Sequence, residues 1–368
     1  MNQWISSLEP VRGIYYDIAS FSSYSTKIDF VEWGYNRDKE TLPQINLGMV
    51  CCRERGLPVF YHVFPGSIVD VSTLKNLLKY LEEYRLKEIT LIMDRGFFST
   101  SNVVSLMDSP IRINILQPLS FSLKKAKELI SIHSKALKSS RTAFKYNEEI
   151  MHHLTTPVHI GYHDFTAHIF FNEKMELEDR HRFLSGLLDI ESQYKECKFD
   201  SKKEAQTFID SETPEKLRAF FRWEKSSKRI VKNDFKIKGH LSELGCFIII
   251  TNDQNIDKHT VLHYYRDKDK VEKIFDTVKN EMDGDRLRSH SQYGMDGRLF
   301  IKFIALIIYM QITKIMRDKK LFEKYSISEL VRELAKLKIT YLNKMDSVKS
   351  EISKKQSQIL KAFDIKYP

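Results

Sequence analysis

Apolar residues in the first third of the chain fall into short continuous runs separated by one helical stripe. Residues 11–19 (VRGIYYDIA), 44–52 (QINLGMVCC) and 57–64 (LPVFYHVF) are rich in β-branched and aromatic side chains and predict three strands. The first ends in a Ser/Thr-rich loop at 20–26, and Arg53-Glu-Arg-Gly56 predicts a hairpin turn between the other two. Leu74, Leu77, Leu78 and Leu81 recur at i, i+3, i+4 and i+7, the stripe of an amphipathic helix over 72–84. Residues 88–93 (EITLIM) are apolar without alternation, as in a buried parallel strand, and deliver Asp94-Arg95-Gly96 at their end. A second helix from Ser101 and a fifth strand from Ile113 follow.

Further on, regularity is lost. Lys- and Glu-rich helical patterns at 123–138, 177–195 and 213–221 alternate with short β-like pieces such as 159–171, and residues 245–251 (GCFIIIT) restore a strand. From Lys258 onward the pattern is helical, with Ser326-x-x-Glu329 as a capping box before Leu330, Leu334 and Leu337. The most apolar stretch, 299–312, is interrupted by Lys302, is too short to span a bilayer, and reads as a buried core helix. Three runs, a helix, a strand, a helix and a strand form the order of an RNase-H-like core, an antiparallel meander extended by βα units, although other α/β domains share it. The expected fold is therefore α/β: a mixed sheet flanked by helices, an α+β insertion and a helical C-terminus. The expected division is 1–119 and 246–320 as catalytic core, 120–245 as insertion, and 321–368 as C-terminal helical segment.

Composition sharpens this picture in two ways. With 42% hydrophobic and 12% aromatic residues a packed core forms and global disorder is excluded, and 13 glycines with 9 prolines are too few for low-complexity linkers. The formal net charge of +10 suits a polyanionic partner such as double-stranded DNA, although a lysine-rich proteome gives the same balance. The four cysteines, Cys51, Cys52, Cys197 and Cys246, include no C-x2-C pair, and the start of the chain has neither a basic lead nor an apolar run. A reduced cytoplasmic protein with no membrane association is the expectation.

Candidate chemistry rests on carboxylates. Asp17 and Asp94 each stand at the end of an expected strand, where open α/β sheets gather ligand groups, and paired carboxylates suit hard divalent cations. Alone, each also reads as an ordinary turn residue. Tyr265, Lys268, Glu272 and Lys279 fall at offsets 0, 3, 7 and 14 in a stretch that reads as one helix, the last three within roughly 60° of one another. Val271, Ile274, Phe275 and Val278 form the adjoining apolar stripe. His152, His153, His159, His163 and His168 match no metal-ligand spacing and read as structural or surface residues.

Tyr265-x2-Lys268-x3-Glu272-x6-Lys279 resembles the Y-x2-R-x3-E-x6-K signature of bacterial insertion-sequence DDE transposases. Asp17 is similar to the first Asp of that group, and Asp94-Arg95-Gly96-Phe97 to its D-R-G-[FY] element. Residues 32–36 (EWGYN), 43–48 (PQINLG) and Gly297-Arg298 extend the likeness, which covers roughly residues 12 to 360. The resemblance implies that Asp17, Asp94 and Glu272 hold two Mg²⁺ ions, with Mn²⁺ as a substitute, for DNA strand cleavage and strand transfer. It implies phosphate contacts for Tyr265, Lys268 and Lys279, with Arg95 beside Asp94 joining them. Lys268 stands where the group usually has Arg, giving a point charge in place of a fork. The group carries an insertion between its second Asp and its Glu. Here that region has seven basic residues between Arg222 and Lys238, including Arg222 and Lys225, against two acidic ones, with Trp223 among interleaved aromatics. A homodimer acting on paired DNA ends in the bacterial cytoplasm is implied. Only 16 residues precede Asp17, so the competing reading is an N-terminally truncated remnant that binds DNA without transposing.

Overall fold

The computed structural model describes residues 1–8, 10–282, 286–341 and 347–366. Its strands are β1 (Gly13–Ser22), β2 (Gln44–Cys52), β3 (Leu57–Pro65), β4 (Glu88–Ile92), β5 (Arg112–Pro118), β6 (Ala143–Tyr146), β7 (Glu149–Ile160), β8 (His163–Asn172), β9 (Phe221–Glu224), β10 (Arg229–Lys232), β11 (Cys246–Thr251), β12 (Ile339–Tyr341) and β13 (Ser347–Lys349). Its helices are α1 (Asn2–Leu8), α2 (Asp70–Glu83), α3 (Thr100–Met107), α4 (Lys124–Leu137), α5 (Glu173–Tyr194), α6 (Lys202–Glu212), α7 (Glu215–Arg218), α8 (Asp234–Glu243), α9 (Lys258–Arg266), α10 (Asp269–Asp276), α11 (Gln292–Asp318), α12 (Ile327–Leu334) and α13 (Lys354–Ala362). The chain divides into two compact units, Met1–Val69 with Asp269–Pro368, and Asp70–Lys268.

In the first unit β1, β2 and β3 form the expected antiparallel meander, in the order β3-β2-β1. The β2–β3 turn closes through Gly56, whose φ of 66° lies in the left-handed region that glycine occupies without strain. All of β2 and all of β1 except Asp17 are buried, which explains why these runs show no polar alternation. Helix α10 packs on β1 through Val271, Ile274 and Phe275, and α11 packs on β3 through a face that includes Leu299, Phe303 and Leu306. Each such fully buried side chain contributes about 1.5–3 kcal/mol.

Two expectations are corrected here. Helix α11 runs for 27 residues and is not buried all round. Phe300, Ile301, Ile304 and Ile308 on its other side are exposed, because only one stripe of the cylinder finds a partner surface. By length and composition alone such a helix could cross a bilayer. The C-terminal part is helical through α12 and α13, which share a small core of Met316, Leu330 and Ile359, and the Ser326–Glu329 capping box is present. It also contains the antiparallel β12–β13 pair, too short for periodicity to register.

The second unit holds a mixed sheet in the order β4-β5-β11-β8-β7-β6. Strands β4 and β5 are parallel, with α3 between them in the chain, and the remaining pairings are antiparallel. The mixed α/β class expected from sequence is thus the one observed. The region read as an irregular insertion divides in two. Strands β7 and β8, of 12 and 10 residues, join the sheet through β11. Residues 183–237 instead build a separate core of Phe183, Leu187, Ile190, Tyr194, Phe199, Ala205, Ile209, Phe221, Ile230 and Ile237.

His153 of β7 and His168 of β8 serve the fold, while His159 lies exposed on the surface. His153 Nε2 lies 3.0 Å from His168 Nδ1, and the pair packs with Phe144 and Phe170. Burial and the neighbouring His168 push His153 down to about 3, and burial pushes His168 down to about 4. Both folded values lie below the unfolded one, so the unfolded chain binds more protons across this window and stability falls on acidification. We expect the urea midpoint of the second unit to drop as the pH is lowered from 6.5 towards 4. A His153→Gln/His168→Gln variant should show a flatter pH dependence, and an unchanged slope would refute this role.

Candidate active site

Asp17 is the fifth residue of β1 and the only one of that strand not buried. The expected strand end at residue 19 is corrected: β1 continues to Ser22, because Ser20 and Ser22 pair opposite Asn46 and Gln44. The Asp17 carboxylate accepts a hydrogen bond from the Ile18 backbone N–H at 2.9 Å. On the same unit, Glu272 lies exposed on α10, on the flank of the buried Val271, Ile274 and Phe275. One strand and the helix packed against it therefore carry two of the three expected carboxylates.

Asp94 belongs to the second unit and follows β4, as expected. It caps the 3-10 turn Arg95–Phe97, its Oδ1 accepting the Arg95 N–H at 2.7 Å. Buried Phe97 pins that turn, and its carbonyl accepts from the Asn102 amide at 3.1 Å. The Asp94 backbone carbonyl accepts from Gln117 Nε2 at 3.2 Å. Its Oδ2 lies 3.2 Å from Lys268 Nζ, with side-chain exposures of 41% for Asp94 and 8% for Lys268. A buried ammonium thus holds a half-exposed carboxylate from beneath.

The single helical stripe of Tyr265, Lys268, Glu272 and Lys279 is not observed. Helix α9 ends at Arg266, Asp267 and Lys268 form a turn, α10 begins at Asp269, and a π-helical segment follows at Thr277–Glu281. No proline or glycine marks the break. The Lys268–Asp94 pair is a long-range contact that local periodicity cannot register. Tyr265 packs beside Phe247, with ring centroids 6.4 Å apart. Lys279 pairs with Asp38 at 2.5 Å and lies over the Phe21 ring.

Of the remaining expected residues, Arg95, Arg222 and Lys225 are exposed, the last two on the β9–β10 hairpin. Trp223 is partly buried against the separate core and donates its indole N–H to the Phe199 carbonyl at 3.2 Å, so packing accounts for its conformation. Gln117, wholly buried in β5, escaped the sequence reading although a lone Gln in an apolar strand was visible there. Among the described residues no three His, Cys, Asp or Glu side chains are gathered as a metal cluster. The donor chemistry nevertheless fits a hard dication, since Asp17, Asp94 and Glu272 offer only carboxylate oxygens.

The family model for a transposase DDE domain matches residues 19–308. That span contains Asp94 and Glu272 and begins just after Asp17. No curated protein matches the chain. A cryo-EM structure of a piggyBac transposase synaptic complex with hairpin DNA is similar at 10% identity and a TM-score of 0.37, over 84% of this chain and 49% of that one. The chain thus spans about half the length of that protein.

Proposed function

This chain belongs to the transposase DDE domain family, and on that premise we propose that it is the catalytic region of a DNA transposase that cleaves and joins strands at insertion-sequence ends. The family match, whose span includes Asp94 and Glu272, carries this reading. Asp17, Asp94 and Glu272 would hold Mg²⁺ or Mn²⁺, which when bound activates an attacking oxygen and stabilises the leaving one.

The chain's own residues supply the rest. Lys268 and Gln117 fix Asp94 at its side chain and its backbone, so the carboxylate is oriented before metal or DNA arrives. Arg95 and Tyr265 would contact phosphates near the cut, Lys279 would join them by releasing Asp38, and the basic β9–β10 hairpin, with Arg222 and Lys225 exposed and Trp223 anchoring it, would track the backbone. Lys268 keeps a phosphate role only by releasing Asp94. A homodimer engaging two DNA ends in the bacterial cytoplasm completes the proposal.

The test is incubation of the purified chain with supercoiled plasmid, with and without Mg²⁺ or Mn²⁺. Nicking that requires the metal and stops with chelator is expected. Nicking that survives chelation would exclude the metal mechanism. DNA binding without nicking would favour the remnant that binds and no longer transposes.

A further inference from the structure

The loop between β1 and β2 holds Trp33 and Tyr35 outward, with relative exposures of 68% and 78%. Among the described residues neither ring stacks on, or hydrogen-bonds to, another side chain. Their backbone, by contrast, is tightly held. Glu32 and Gln44 exchange backbone hydrogen bonds at 3.0 and 2.9 Å. Wholly buried Gln44 donates its amide to the Tyr35 carbonyl at 2.8 Å. Buried Asn36 donates to Ser22 Oγ at 3.1 Å and accepts from the backbone N–H groups of Asp38 and Glu40 at 2.8 and 3.2 Å.

Two glycines make this arrangement possible. A Cβ on Gly34, between the two aromatics, would lie 2.0 Å from the Gly66 carbonyl oxygen. One on Gly66 would lie 2.1 Å from the Gln44 carbonyl oxygen and 2.4 Å from that of Glu32. The loop is therefore seated against the backbone of β2 and the end of β3, and the rings project from a fixed base. Asn36 to Ser22, and Arg37 to Ser20 at 3.1 Å, tie it to the same strand that carries Asp17.

The charge around the rings is close to balanced, so a phosphate backbone is not repelled. Asp38 and Glu40 are paired with Lys279 and Arg286, and Glu32 keeps its charge while accepting from the Ser67 hydroxyl. Asp29 remains exposed, but so do Lys27 and Lys39, with half-exposed Arg37 beside them. Every base has a π face, so rigid exposed rings beside basic groups bind unpaired bases whatever their sequence. We propose that Trp33 and Tyr35 form a stacking platform for unpaired bases of the DNA strand. This rests on the transposase reading and adds to it a surface that grips single-stranded DNA.

Intrinsic fluorescence tests it directly, because the chain has three tryptophans. Trp4 and Trp223 are partly buried and donate their indole N–H groups to Pro58 and Phe199. Titration of the whole chain with a 20-mer oligothymidylate, and with its duplex, should quench the emission with the single strand more than with the duplex. Trp33→Phe should lose that quenching. Trp33→Ala and Tyr35→Ala should each weaken single-strand binding by about 5- to 150-fold, with the salt dependence unchanged. Tyr35→Phe should restore binding.

Quenching that persists in Trp33→Phe, or alanine variants that bind the strand like the parent, would overturn the proposal. So would unchanged strand affinity with lost self-association in the double alanine variant, which would assign the platform to a protein partner. If the parent nicks plasmid while the alanine variants bind normally, only this inference fails. If the parent neither nicks nor binds either DNA, the transposase reading fails with it.

Discussion

Glu272→Gln should reduce metal-dependent plasmid nicking on the order of 10³-fold or more, with duplex binding within about twofold of the parent. The structure makes this a clean substitution. Glu272 is exposed on α10, beside the buried Val271, Ile274 and Phe275 that attach the helix to β1. Gln keeps the volume and the helix propensity and removes only the anionic oxygen a dication needs. The thermal midpoint of the variant, measured beside its nicking, assigns any loss to chemistry or to folding. Asp94→Ala is expected to abolish nicking as well, but it also removes the ion pair with the buried Lys268 ammonium and should lower stability. Comparing nicking with the thermal midpoint separates the two effects. Full nicking by Glu272→Gln at any Mg²⁺ concentration would remove Glu272 from the metal set.

The largest stability effect is expected from Gly66→Ala. The atoms its Cβ would meet, the carbonyl oxygens of Gln44 and Glu32 at 2.1 and 2.4 Å, are backbone. Neither can rotate away, so the bridge between the loop and β2 must open. A loss of about 3 kcal/mol is expected, at the upper end for overpacking. For a unit of this size that is about a 10 °C drop in thermal midpoint, readable by calorimetry. Gly239→Ala provides the contrast. It lies in α8 with nothing within 4 Å of an added Cβ, and should stabilise by up to about 1 kcal/mol through helix propensity. Equal effects at the two positions would show that close backbone approach is not what holds Gly66.

Much of the fold was legible because local patterns and tertiary burial agreed. The runs that became β1 to β5, the Leu74–Leu81 stripe of α2 and the buried face of α10 all read correctly, since each depends on spacing within one element. The failures share a different cause. Ser20 and Ser22 look like loop residues, but they are buried and bonded to Asn46 and Asn36, partners many residues away. The turn at Asp267–Lys268 replaces an unbroken helical pattern where Lys268 reaches Asp94. Strand β7 went unread because its histidines and threonines mask hydrophobic alternation, whereas most of β8 was read as the β-like piece 159–171. At the candidate site, the position of Asp94 after a strand and the exposure of Glu272 on a helix could be read from sequence. The buried support of Asp94 by Lys268 and Gln117 could not.

The separate core beneath residues 183–237 has an implication for how such a chain can change over time. Its ten buried side chains form one cluster, apart from the strands that lead to Asp94. Mutational effects in non-touching clusters combine almost independently. The β9–β10 surface can therefore drift without each step demanding a compensating change around the carboxylates, so, on the proposed function, a surface for DNA can evolve at a different pace from the site proposed to cut it.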